Sequence, residues 1–422
     1  MKIVEPASLL TVSVAGLLLV ACSSVGGAPE APARNVSGVE SELPASLPEM
    51  SGPISSPVVL HASYAVATAF DSDVRVNGVA AGNLDPSVPG DEIVAVDLRG
   101  RVHVMTRDGD GFRHDMIATT GGELVQVAVG DLMPSVPGDE IVAVGAESGT
   151  EDDDGPGAIR IFHRGAGDGW VETTYLAPSL VHAIAIGPLR SGESASFVCA
   201  GFFQQALIGR LVPSADSGAD SVAGSKGVSL SMAALDLPPV GNAKGLALTT
   251  EGFVMAFDDG HTVEFVATPE GYSHRSPVPH GSPLARIAYD PEVGVLLCDN
   301  DGFLRVFPLG ERQGSKVLER AKQRLRGAVF VDIDPKNEGV EACSAGYDGL
   351  VRVVDLNRIE TKQLDLPGQP VTQGWDGRLR YVARDSAKLH HLTSGDIDGF
   401  GTCLITCGYS GDVLLIHRQD LP

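Results

Sequence analysis

The eleven-residue phrase PSVPGDEIVAV occurs twice, at Pro86–Val96 and again at Pro134–Val144, an offset of 48. An identical phrase at such an interval marks a repeated structural unit, because units of this size cannot bury their apolar faces alone and must stack on copies of themselves. Weaker copies run along the chain: VAAGNLDPSVPGDEIVAVDLRGRVHVM, VQVAVGDLMPSVPGDEIVAVGAESG, HAIAIGPLRSGESASFVCAGFFQQALIGRLV, KGLALTTEGFVMAFDDGHTVEFV, RIAYDPEVGVLLCDNDGFLRVFPL, AVFVDIDPKNEGVEACSAGYDGLVRVVDL and LTSGDIDGFGTCLITCGYSGDVLLIHR. Each reads as a short apolar strand, a turn, a second apolar strand, a tight turn and a third strand of alternating character.

Gly100, Gly260, Gly302, Gly349 and Gly411 occupy the tight turns, where Gly accepts the positive φ that short hairpins demand. A more polar fourth strand follows in most units, as in FRHDMIAT and TKQLDLP. With 51 Gly, 27 Pro and only 5% aromatic residues, the chain suits many short strands better than long helices. Four-stranded units spaced by 40 to 60 residues predict an all-β, seven-bladed β-propeller. The last unit stops at its third strand, DVLLIHRQ, while an unclaimed strand, Ser63 to Phe70, precedes the first. The expectation is that this N-terminal strand, about 63–70, completes the seventh blade and leaves no open sheet edge at the join.

The net charge of −23 disfavours nucleic acid and anionic surfaces as partners of the whole body. The N-terminus carries an apolar run, Leu9 to Val20, too short to span a bilayer, that ends in Leu19-Val20-Ala21-Cys22. This end resembles a bacterial lipobox, which implies cleavage before Cys22 and lipidation of its thiol. The organisation is then a signal peptide at 1–21, a flexible Ser/Pro/Gly/Ala/Glu-rich spacer at 22–57 and the propeller at 58–422. The body would be a monomer facing periplasm or exterior, meeting the membrane only through the lipid. Of the remaining five cysteines, Cys403 and Cys407 lie along one strand, about 13 Å apart at ~3.3 Å per residue. All five read as small buried apolar side chains rather than a disulfide framework.

GDIDGFG, VDIDPKNEG and GNLDPSVPGDEI resemble FG-GAP/VCBS-like repeats, and GYDGLVRVVDL and GYSGDVLLIH resemble WD40-like repeats. The resemblance covers about residues 60–420 and implies a propeller of the kind found on bacterial lipid-anchored proteins, without implying an activity. The Tyr-Ala-Leu-Asp…Thr-Gly…Trp signature of envelope-assembly propellers and quinone dehydrogenases is missing.

Two constellations are candidate sites. FG-GAP loops bind Ca²⁺ through oxygens at alternating positions, and Asn83, Asp85, Ser87 and Asp91 match that spacing best. The other reading is that these carboxylates cap turns. The second constellation comes from aligning the start of each inner strand: Asn77, His182, Lys244, Arg286, Arg326 and His390-His391. In a propeller these would ring one mouth of the channel and attract a small anionic ligand or a carboxylate of an envelope partner. A basic-rich run, Arg312 to Arg326, reads as an outer strand or a surface helix. No nucleophile elbow, zinc-protease, haem or phosphate-loop motif occurs. The reading is therefore a non-enzymatic binding or scaffold module with no cofactor beyond a possible Ca²⁺. The alternative is a channel hydrolase or lyase using a divalent metal.

Overall fold

The computed structural model describes residues 57–150, 155–165, 169–213, 228–310, 315–356 and 379–419; the expected signal peptide, all but the last residue of the expected spacer and the TKQLDLP segment lie outside them. The strands form seven antiparallel sheets. Their inner strands are Val76–Gly82, Leu124–Gly130, Val181–Gly187, Ala243–Thr249, Leu284–Asp290, Leu325–Val331 and Leu389–Ile397, which number the blades one to seven. The chain is a seven-bladed all-β propeller, as the repeat predicts.

The second strands are where the apolar sequence is densest. Glu92–Asp97, Glu140–Ala146, Ser196–Gly201, Gly252–Phe257, Gly294–Asp299 and Glu341–Gly346 are buried at every residue. A strand flanked by a blade on each side has no solvent face, so its pattern is continuous rather than alternating. Outer strands such as Gly111–Thr119 have one free edge and are largely exposed and polar. The core is accordingly divided into wedges, each shared by two adjacent blades. Ile93 and Met105 of blade one pack with Ile405 and Leu415 of blade seven. Val351 and Val353 of blade six pack with Leu404 and Leu414 of blade seven.

Ring closure follows the expected route. Tyr64–Asp71 pairs antiparallel with Asp412–Arg418 and is the outer strand of blade seven. One pairing was not visible in the sequence: Val58–Val59 adds to the outer strand of blade six, opposite Arg384 and Ala383. That outer strand is Leu379–Arg384. The basic run contributes the outer strand of blade five, Lys316–Arg320, and then the start of the blade-six inner strand, so the helical option for its described residues is overturned. The five cysteines among the described residues, Cys199, Cys298, Cys343, Cys403 and Cys407, are buried free thiols.

The duplicated phrase acts as a joint between blades. Gly90 and Gly138 hold φ of +77° and +92°, and a Cβ on Gly138 would come within 2.4 Å of the Leu84 carbonyl oxygen of the preceding blade. Only Gly combines that conformation with that approach. The Asp139 N–H donates to the Asn83 carbonyl (2.8 Å), and its carboxylate accepts the Asn83 N–H (2.9 Å). Asp91 makes the same pair of bonds to Asp396 of blade seven, at 2.7 and 2.8 Å. The Glu closes its own turn: Glu140 Oε2 accepts the N–H groups of Leu132 and Met133, and Glu92 Oε2 those of Leu84 and Asp85. Glu341 does the same for Ile333 in blade six, where Val340 leaves the Asp position without a carboxylate.

Burial raises the Glu140 carboxyl to about 7, against two N–H bonds that pull it down. The folded chain therefore keeps this proton above the pH, about 4.5, at which the unfolded chain releases it. Its stabilising contribution is fully present below that lower value and is lost as pH rises through about 7. Glu140→Gln should flatten this slope, so that melting temperature falls less between mildly acidic and mildly alkaline pH than in the parent. Thermal unfolding scans across that range check it, and parallel slopes would contradict it.

Candidate functional site

Each inner strand enters its sheet through the same irregularity. The register with the second strand slips at the second residue in all seven blades, at Asn77, Val125, His182, Lys244, Ala285, Arg326 and His390. A bulge leaves one residue out of the ladder and re-aims its side chain. Five of the seven residues proposed for the mouth are bulge residues; Arg286 and His391 come one place later. Blades two and five carry Val125 and Ala285 at the bulge, which makes the ring polar but incomplete.

Several of these side chains bridge blades through backbone carbonyls, a role the sequence did not suggest. Asn77 Nδ2 donates to Leu124 O at 2.7 Å and to Glu123 Oε1 at 2.8 Å, joining blade one to blade two. His390 Nδ1 donates to Asn77 O at 2.9 Å, joining blade seven to blade one. Arg286 Nη1 donates to Lys244 O at 2.7 Å and to Ala285 O at 3.0 Å, joining blade five to blade four.

The electrostatics identify where these groups meet. Burial holds His182 far below its ordinary value, reinforced by the charges of Lys244, Arg286 and Arg326. Burial also lowers His390, again with Arg286 and Arg326, and takes His391 down to about 3 with help from Arg286. The three imidazoles are therefore neutral at physiological pH. Arg286, pushed to about 10 by burial and then by Arg326, remains a cation. Residues of blades three to seven act on one another here, and only the central channel adjoins all of those blades.

The rim adds residues that sequence reasoning missed. Tyr347 and Tyr409 face each other with their hydroxyls 3.1 Å apart. Arg324 and Arg326 lie over the Tyr347 ring at 5.1 and 5.5 Å, and Arg75 over Tyr409 at 5.0 Å. Lys388 sits over both rings, and Lys244 is 4.0 Å from the Phe202 ring centre. Cations above aromatic faces gain quadrupole attraction. The signal was present: Gly-Tyr-x-Gly recurs in GYDG and GYSG, with the Tyr at the mouth end of each hairpin. Glu123, the nearest acid, accepts from Arg75 (2.5 Å) as well as Asn77.

The Ca²⁺ candidates lie at the opposite end of the inner strands. Asp85 accepts the Ser87 N–H and hydroxyl at 3.0 and 2.6 Å, a capped turn. Asn83 and Asp91 are engaged with blades two and seven through the joints described above. Among the described residues no three His, Cys, Asp or Glu side chains stand close enough to share a metal ion. Asp91, Asp139, Asp396 and Asp398 gather at this far end of the inner strands.

No known family profile matches the chain, and no curated protein does. Among solved structures it is similar to the WD40 β-propeller domain of Doa1, with a TM-score of 0.58 and 13% identity, covering 85% of this chain and 98% of that one. Such likeness is widespread, with 1115 solved chains matching, so it speaks to the fold and leaves activity to the site.

Asn77→Ala should destabilise the propeller by about 1–3 kcal/mol, because it strands the buried Leu124 carbonyl and removes a donor from Glu123. Denaturant unfolding measures this, and a change below about 0.5 kcal/mol, typical of a neutral surface site, would show that the bridge carries no weight.

Proposed function

We propose that this chain is a lipid-anchored, extracytoplasmic β-propeller that works as a non-enzymatic binding module, and that its binding face is the channel mouth. The observation that carries the reading is the gathering of Lys244, Arg286, Arg324, Arg326 and Lys388 around one opening of a chain with net charge −23. Against that background the mouth is a local attractor for anions, strengthened by the low-dielectric walls of the channel. The aromatic rings beside the cations suit a partner that brings apolar surface together with negative charge. A small anionic ligand or an acidic segment of an envelope protein has that chemistry. The overall charge of −23 speaks against nucleic acid. The Leu-Val-Ala-Cys ending at Cys22 supports attachment by lipid, with the spacer joining the anchor to a monomeric body.

Two experiments test the two halves of this reading. Replacing Lys244, Arg326 and Lys388 together by Glu should weaken low-salt retention on immobilised polyglutamate by about tenfold or more, since several rim charges change sign. Equal retention of parent and variant would remove the mouth as the binding face. Cys22→Ser should move the protein from the membrane fraction to the soluble fraction on cell fractionation, and continued membrane association would remove the lipid anchor.

A further inference from the structure

We infer that Arg286 is a preformed two-pronged receptor for a carboxylate at the floor of the mouth. This rests on the mouth being the binding face and names the ligand chemistry it takes. The side chain is 4% exposed. Its Nη1 is held by the carbonyls of Lys244 and Ala285. Its Nε and Nη2, the two donors on the opposite edge of the guanidinium, are buried and have no acceptor among the described residues. That edge presents two parallel N–H groups at the spacing of carboxylate oxygens, the geometry of a bidentate pair.

The surroundings make this edge a site instead of an unsatisfied remnant. Burying a guanidinium without a counter-charge is expensive. The groups that bear most on Arg286 are Arg326, Cys298, Cys407 and Tyr347, none of them an acid ionised at neutral pH. Nη1 is clamped by two carbonyls, so the fork cannot swing away to find a partner. The position after the bulge is Gly78, Ala183, Gly245 and Gly327 in four other blades; at each of the three glycines a Cβ would come within 3.0 Å of the next inner strand, and at Gly245 the atom met is the Arg286 Cα, so blades four and five close tightly behind the fork. His182, 4% exposed and within the field of Arg286, has an Nδ1 that also lacks a partner among the described residues. A carboxylate on the fork would supply the missing negative charge and both missing acceptors.

A carboxylate of this kind comes either from a small organic acid or from the C-terminal end of a partner polypeptide. The test uses the full chain and calorimetric titration at constant ionic strength. The probes are acetate, a short peptide with a free C-terminal carboxylate and the same peptide amidated, with chloride as the reference anion. Wild type should bind acetate or the free-acid peptide. Arg286→Lys, which keeps a charge but cannot offer the fork, should weaken that binding by about 10- to 100-fold. Arg286→Met should do the same, and because it removes a buried charge it serves as the folded control if the Lys variant is unstable. Acetate binding assigns the site to free acids; binding of the free-acid peptide alone, lost on amidation, assigns it to a partner's tail. Unchanged affinity in both Arg286 variants overturns the fork and leaves the mouth reading standing. If neither acetate nor the free-acid peptide binds wild type, the fork is overturned, and the polyglutamate experiment then decides whether the mouth reading falls with it.

Discussion

The pairing of Tyr64–Asp71 with Asp412–Arg418 is the contact on which the rest of this architecture depends. The core is divided into wedges between neighbouring blades, so every blade needs a neighbour on both sides. In a row of seven sheets the first and last would each leave an apolar face in water. Bringing the chain's first full strand onto its last sheet makes blade seven complete, and blade seven then supplies the second face of blade one. Ile405 and Leu415 can meet Ile93 and Met105 only because the two ends of the propeller chain share a sheet. The apolar second strands, buried throughout, are tolerable in sequence for the same reason.

The joints at the far end of the inner strands show how such a ring holds its spacing. Hydrophobic wedges are non-directional and would tolerate sliding of one blade on another. The Gly-Asp-Glu turn adds direction: Gly permits contact, Asp pairs with the backbone of the preceding blade, and Glu closes the turn that carries both. The motif is intact in blades one and two and partial in blade six, where Glu341 remains without the Asp. Asp91 uses it to meet Asp396, across the join between the last and first blades. A verbatim repeat of eleven residues is therefore a repeat of one mechanical joint, placed at two successive boundaries.

Periodicity and turn chemistry are local, and they were legible. The hairpin glycines have the positive φ expected of them, and the strand at Tyr64–Asp71 falls within a residue of its predicted place. The aligned starts of the inner strands led to five true bulge residues because a bulge recurs at a constant offset from each second strand. What stayed hidden depends on partners distant in sequence. Asp91 reads as a calcium ligand from its neighbours and becomes a joint only when Asp396 lies beside it. Asn77 and His390 read as members of a ring at the channel mouth, and in the structure they also hold carbonyls of the next blade. Val58–Val59 carries no period long enough to announce a strand.

The bulge links architecture to recognition. It is required where each inner strand turns in from the previous blade, yet it leaves the identity of the displaced residue free, because that residue no longer belongs to the ladder. The wedges must be repeated in every blade, whereas the bulge positions differ as Asn, Val, His, Lys, Ala, Arg and His. The next position is small in four blades and holds Gln126, Arg286 and His391 in the others. One of those three, Arg286, is clamped on one edge by carbonyls that the neighbouring bulge at Lys244 helps to expose. A side chain held by backbone groups of two blades is oriented before any ligand arrives, so little ordering cost remains at binding. The same feature that lets seven inner strands converge on an axis thus supplies both the freedom to vary the mouth and the rigidity to aim a donor within it.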